Sequence, residues 1–148
     1  MNYNEIKKGN NSMNAIEKYN LLQNLIDDVF QLTNTYKNNM EYDYLDDFVK
    51  LIMVHGLLTQ AQVLVRTEIL IWNIYNNCTQ ENDKKGEEIA LSGFGDFEKH
   101  IMAPCIKDLL DLAKTWEFED YRARNYQSEL KDSMKLLWDI YKQFEKQQ

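Results

Sequence analysis

The residues of this chain that could do chemistry are two histidines, two cysteines and a scatter of carboxylates. His55 and His100 are the only histidines. A di-iron bundle needs Glu-x-x-His on facing helices, and neither histidine has a glutamate three positions before it. The His-Glu-x-x-His pattern of a zinc protease is also absent. Asp96 and His100 would share a helix face, but two ligands make no metal site. His55 precedes Gly56 and has no lysine beside it, which leaves out the usual phosphorylated-histidine arrangement. Carboxylates three apart can hold magnesium through their oxygens. Such pairs occur at Asp108/Asp111, Glu117/Asp120 and Glu129/Asp132. They do not reproduce the Glu-x-x-Glu then Glu-x-x-Asp order of helical nucleotide pyrophosphohydrolases, and solvated helix faces carry such pairs routinely. Cys78 and Cys105 form no C-x-x-C pair and read as two reduced thiols, and nothing near Cys105 would lower its pKa. Gly93-Phe94-Gly95 is too short for a phosphate loop. No catalytic residue, metal ligand or cofactor is assigned, so the chain reads more as a binding protein than as an enzyme.

Polar side chains on apolar faces say more. Glu68 falls among Leu64, Trp72 and Tyr75 at helical spacing. A carboxylate there must be paired or protonated, because an isolated buried charge is very costly, unless it opens into a groove. Arg122 or Arg124 is the expected partner, and a tuned general base is the sharper alternative. Arg66, on the polar strip of the same helix with Gln62 and Asn73, and His55 are the other polar side chains expected to be drawn inside. On the last helix Arg124, Lys131, Lys135, Lys142 and Lys146 fall within about 60° of one another at 100° per residue. They form a basic stripe opposite the Leu130–Leu137–Phe144 face. Trp138 sits at its edge, and tryptophan is enriched at binding hot spots. The stripe is either a solubilising surface or a docking strip for an acidic partner.

These side chains must be positioned by helices. Apolar residues recur every three to four positions and no hairpin signal separates alternating runs. An all-α antiparallel bundle of four to five helices follows, in one domain over residues 13–148 after a disordered lead at 1–12. The spacing predicts a first helix over 13–38, capped by Asn14 and Glu17 as a capping box. Glu41, Asp43, Asp46 and Asp47 open the second helix, where acids suit the helix dipole. Gly56 is read as a break, with Thr59 capping a fresh helix over 60–77 that lies at the centre of the bundle; one continuous helix kinked at Gly56 is the alternative. Three of five glycines fall between 86 and 95, so 79–95 reads as a long loop, either functional or hiding a short helix around Glu87–Leu91. Pro104 predicts a turn at 96–102 and a helix over 104–117. From Cys105 onward a single helix would span ~60 Å and need a partner chain; a break near 117–121 is preferred.

Charge and composition bound the partners. The formal net charge is −7, which argues against a nucleic-acid binder that works by neutralising phosphates. Residues 41–120 carry 16 acids against 7 bases, while 121–148 carry 6 bases against 4 acids. No uninterrupted apolar run reaches the ~18 residues needed to span a bilayer, and no signal-peptide core is present, so the expectation is a cytoplasmic protein without membrane contact. The function expected is a small acidic protein–protein interaction factor of inhibitor, immunity or adaptor type. Its acidic middle could imitate nucleic acid, and homodimerisation would follow from a long last helix. A magnesium-dependent all-α nucleotide hydrolase and a small helical subunit of a nucleoprotein complex are the alternatives.

Overall fold

A computed structural model describes residues 13–145, with side chains through residue 142. The lead expected over 1–12, Lys146 and the side chain of Phe144 lie outside the described residues. Among the described residues the chain is all-α, without strands, as the periodicity predicts.

Helix α1 runs Ala15–Asn38. Its capping box is formed: Asn14 Oδ1 accepts the Glu17 N–H at 2.8 Å, and Glu17 Oε1 accepts the Asn14 N–H at 3.4 Å. Leu22, Leu25, Val29 and Tyr36 bury one face of it. Met40, with φ 51, turns the chain back through the left-handed region. A 3-10 turn at Tyr42–Tyr44 then leads into helix α2, Leu45–Gln80, of 36 residues.

Gly56 does not break α2. Thr59 starts no new helix, because its hydroxyl donates back to the His55 carbonyl at 2.8 Å. The bond is spent inside the continuing helix instead of capping a fresh one. The stretch expected to be a loop over 79–95 is also largely helical. The chain turns at Asn82, with φ 58, and Asp83 caps helix α3, Lys84–Phe97, by accepting the Gly86 N–H at 2.9 Å. Three glycines inside α3 lower its intrinsic propensity. Burial of Ala90 and Phe94 against the core overrides that weak preference.

A π-helical turn at Glu98–Met102 joins α3 to helix α4, Ala103–Thr115, without a gap. Pro104 sits in the first turn of α4, just past this widened turn, where a missing N–H is tolerated. The turn expected at 96–102 is therefore helical. The chain breaks once more at Trp116, whose backbone is extended, and helix α5 runs Tyr121–Glu145. This is the break preferred from the sequence, and it removes the 40-residue helix on which the expected homodimer rested.

Four helical rods result: α1, α2, the α3–π–α4 run and α5. α1 lies along α2, α5 lies along α4 and α1, and α3 packs on α2. Leu51, Leu58 and Val65 of α2, Met102 of the π-turn, Ile106 of α4 and Leu130, Met134 and Leu137 of α5 fill the middle with the α1 face.

Candidate functional site

Three features compete for a functional role. The first is a charged cluster closed off from solvent. Lys18 on α1, Glu68 on α2 and Glu98 on the π-turn have wholly buried side chains. Lys18 Nζ donates to Glu68 Oε2 at 3.1 Å and to Glu98 Oε2 at 3.2 Å. Tyr141 of α5 donates its hydroxyl to Glu68 Oε1 at 2.6 Å, and its ring lies 4.3 Å beneath Lys18 Nζ. All four rods meet here. The expected burial of Glu68 is correct and its expected partner is not: Arg122 and Arg124 lie elsewhere, and Lys18 takes their place. Lys18 could not be singled out by sequence, since a lone lysine on α1 looks like any surface lysine. With no route for solvent, the cluster reads as a clamp between rods and not as an acid–base site.

The second feature ties the α4–α5 hairpin to α2. Asp47 is buried on α2 and accepts the N–H groups of Glu119, at 3.0 and 3.1 Å, and Asp120, at 2.8 Å. Asp120 in turn accepts from the Tyr36 hydroxyl at 2.5 Å and from Arg122 Nε at 2.6 Å. Arg122 reaches across to Glu41 with both terminal nitrogens, at 3.1 and 2.5 Å. Burial works against ionising Asp120, but the hydrogen bonds from Tyr36 and Arg122 outweigh it and hold the carboxyl below its usual range. Burial, then the bond to Asp120, raises the Tyr36 hydroxyl. Glu41 and Asp47, read as helix-dipole acids, are thus spent on other elements. Gln127 Nε2 completes the tie by donating to the carbonyls of Ala113, at 2.8 Å, and Trp116.

The third feature is the outer face of α2. This helix was expected at the centre of the bundle, yet one side of it faces solvent along its whole length. Leu45, Val49, Ile52, Met53, Val63, Leu70 and Ile74 are each 47–61% exposed. At 100° per residue they fall on one side of the wheel, opposite buried Leu51, Val54, Leu58 and Val65. Gly56 lies on this ridge. Glycine within a helix is worth roughly 0.5–1 kcal/mol less than alanine, and nothing lies within 4 Å of where its Cβ would be. Tyr42–Gln80 is also the one described stretch long and apolar enough, by length and composition, to cross a membrane, although polar residues interrupt its apolar runs.

The remaining expected site residues scatter. Arg124, Lys131 and Lys135 of the basic stripe are exposed, but the Arg124 guanidinium donates to the carbonyls of Glu119, at 2.5 Å, and Phe118, at 3.4 Å. Lys142 pairs with Asp139 at 2.9 Å. Trp138 is half-buried with Lys107 Nζ 5.7 Å from its ring. Arg66, expected inside, is exposed: it sits on the polar strip beside α1 and donates to the Tyr19 hydroxyl at 3.3 Å. His55 is half-buried, 6.1 Å from the Phe30 ring. Of the paired carboxylates, Asp108 and Asp111 line an open cleft of about 650 Å³ between α2 and α4 with His100 and Cys105. Asp120 is committed to Tyr36 and Arg122. Burial and then Asp108 push the Cys105 thiol up. Among the described residues no three potential ligands gather around a metal position. Comparison with family models, with curated proteins and with solved structures finds no match for this chain.

Proposed function

We propose that this chain works by docking to protein, as an inhibitor, immunity or adaptor-type factor, and that its docking face is the outer side of α2. One observation carries the reading: seven apolar side chains stay about half exposed on one side of the longest helix, in two groups, Leu45 to Met53 and Val63 to Ile74. Apolar patches of this extent mark interaction sites, because leaving them in water forfeits roughly 25 cal/mol for every Å² that could be buried. The basic stripe of α5 is the weaker surface, since two of its cations are drawn into contacts within the chain. Imitation of nucleic acid is also weakened. Glu41, Asp47, Glu68, Glu98 and Asp120 belong to the acidic stretch, and all are engaged inside the fold.

The test is affinity capture from the native host, run with wild type, with Val63→Glu/Leu70→Glu and with Lys131→Ala/Lys135→Ala. Capture lost only with the ridge variant supports the reading. Capture lost only with the lysine variant transfers the function to α5 and overturns it.

A further inference from the structure

The cleft between α2 and α4, about 650 Å³ in volume, lies apart from the outer ridge of α2, and none of the seven ridge side chains lines it. A ligand there is therefore independent of the docking role given to the ridge. Small-molecule sites measure roughly 300–1,000 Å³, with apolar walls and a few converging polar groups. The floor of this cleft is aliphatic: Leu109 is buried, and Leu57, Leu64 and Leu112 are half-buried. A ligand that covers such a floor gains the free energy of removing apolar surface from water.

The charges in the cleft have one sign. Asp108 and Asp111 stand exposed on its α4 wall, and among the described residues no lysine or arginine lines it. Neither carboxylate forms an ion pair with the described residues. Glu41, Asp47 and Asp120, by contrast, are spent inside the fold. The field of Asp108 reaches the cleft wall, where, after burial, it is what pushes the Cys105 thiol up. Thr115 donates its hydroxyl to the Asp111 carbonyl at 2.8 Å, which leaves the hydroxyl oxygen free to accept. The cleft thus offers negatively charged acceptors and lacks a cation to answer them.

Spacing decides which cation fits. Asp108 and Asp111 are three positions apart on one helix, which puts their Cβ atoms about 5–6 Å from each other. A primary ammonium has three N–H donors and can reach both carboxylates at once, whereas a quaternary ammonium has no N–H to donate. A bare metal ion fits poorly, because no three potential ligands gather around a point among the described residues. His100, Cys105 and the two aspartates are instead strung along roughly 16 Å of wall, at 1.5 Å per residue. That shape suits a molecule with a charged head and an apolar body.

We infer that the α2–α4 cleft binds a small primary amine with an apolar body, its ammonium held between Asp108 and Asp111 and its body laid on Leu57, Leu64, Leu109 and Leu112.

Titration calorimetry of the full chain at neutral pH tests this with naphthylmethylamine, which is protonated there. Naphthylmethanol, with the same body and no charge, and the N-trimethyl derivative of the amine are the comparisons. The amine should bind with a Kd below about 1 mM, and both comparisons should bind roughly tenfold or more weakly. Asp108→Asn/Asp111→Asn should weaken the amine about tenfold and leave the alcohol unchanged. Both positions are exposed, so circular dichroism of this variant should match wild type. The place of binding is read by iodoacetamide. The amine should slow alkylation of Cys105, which lines the cleft, and leave Cys78, which does not, unaffected. No binding of the amine up to about 10 mM overturns the proposal. So do equal affinities for amine and alcohol, or amine binding that the aspartate variant leaves unchanged. Protection of Cys105 by magnesium chloride and not by the amine overturns it too, in favour of a metal ion.

Discussion

Tyr141, near the end of α5, donates its hydroxyl to Glu68 in the middle of α2 at 2.6 Å, inside a cluster that solvent does not reach. The bond gives Glu68 a second partner beside the Lys18 ammonium, which among the described residues it shares with Glu98. Removing one member of a buried ionic group leaves the others uncompensated, at a cost of about 3–5 kcal/mol. Lys18→Met should lower stability by that amount in urea unfolding. Replacing the whole group, with Lys18→Met, Glu68→Leu, Glu98→Leu and Tyr141→Phe, should recover most of the loss. A single variant as stable as wild type would show that the cluster does not clamp the rods.

Asp47 holds the start of α5 from a distance of more than seventy residues in sequence. Its carboxylate accepts two backbone N–H groups there, those of Glu119 and Asp120. Hydrogen bonds to a charged group are worth about 1.5–3 kcal/mol each, so Asp47→Ala should destabilise the protein by about 2 kcal/mol or more. Hydrogen exchange at the amides of Glu119 and Asp120 should accelerate more than exchange in the middle of α1. Uniform acceleration would count against a local role.

Two carboxylates give the protein opposite responses to pH. The folded-state pKa of Asp120 is lowered from 3.8. Its contribution is present above that value and is lost as pH falls through the lowered pKa. Glu129 is raised from 4.5, first by desolvation and then by its contact with Asp28. Its contribution favours folding below the unfolded pKa and is lost as pH rises through the raised one. Thermal melts of Glu129→Gln should therefore exceed wild type at neutral pH by about 0.3 kcal/mol, the scale of an exposed charge pair. The two should converge in acid. Asp120→Asn should cost stability at neutral pH and flatten the acid limb.

Glycines in α3 separate close packing from mere tolerance. A Cβ on Gly86 would press on Asp83 Oδ2 and lie 2.6 Å from Cys78 Sγ, whereas one on Gly93 would meet nothing within 4 Å. Gly86→Ala should destabilise by about 1–3 kcal/mol, as overpacking does. Gly93→Ala should stabilise by about 0.5–1 kcal/mol through helix propensity. Calorimetric melting of the two variants in opposite directions is the expected result.

Neither thiol is activated. Burial, followed by Asp83, raises Cys78, and burial, followed by Asp108, raises Cys105. Iodoacetamide at neutral pH should alkylate both more slowly than free cysteine, since the thiolate is the reactive form. Faster modification of Cys105 would point to chemistry in its cleft.

The all-α class was legible because aliphatic residues recur with helical period in α1, α4 and α5, and Leu130, Met134 and Leu137 lie where that period puts them. The Asn14–Glu17 cap was legible because both partners are local. Glycine and proline misled wherever tertiary packing outweighed them: Gly56 and the α3 glycines interrupt nothing, and Pro104 follows a π-turn. Long-range partners were out of reach. Nothing within fifty residues of Glu68 points to Lys18, and Asp47 looked like any acid at a helix start. The α2 ridge was hidden for a different reason. A helix apolar on both sides reads as central, and only the arrangement of its neighbours reveals that one side is open.

The clamp around Lys18 also has a consequence for how the protein is made. Its members are 50, 80 and 73 positions apart in their pairings, and Tyr141 is synthesised last. A nascent chain therefore emerges from the ribosome with Lys18, Glu68 and Glu98 still hydrated, because the helix that seals them is unfinished. Contacts so distant close slowly. The first three rods should thus stay loosely associated until α5 has been made and has docked against them.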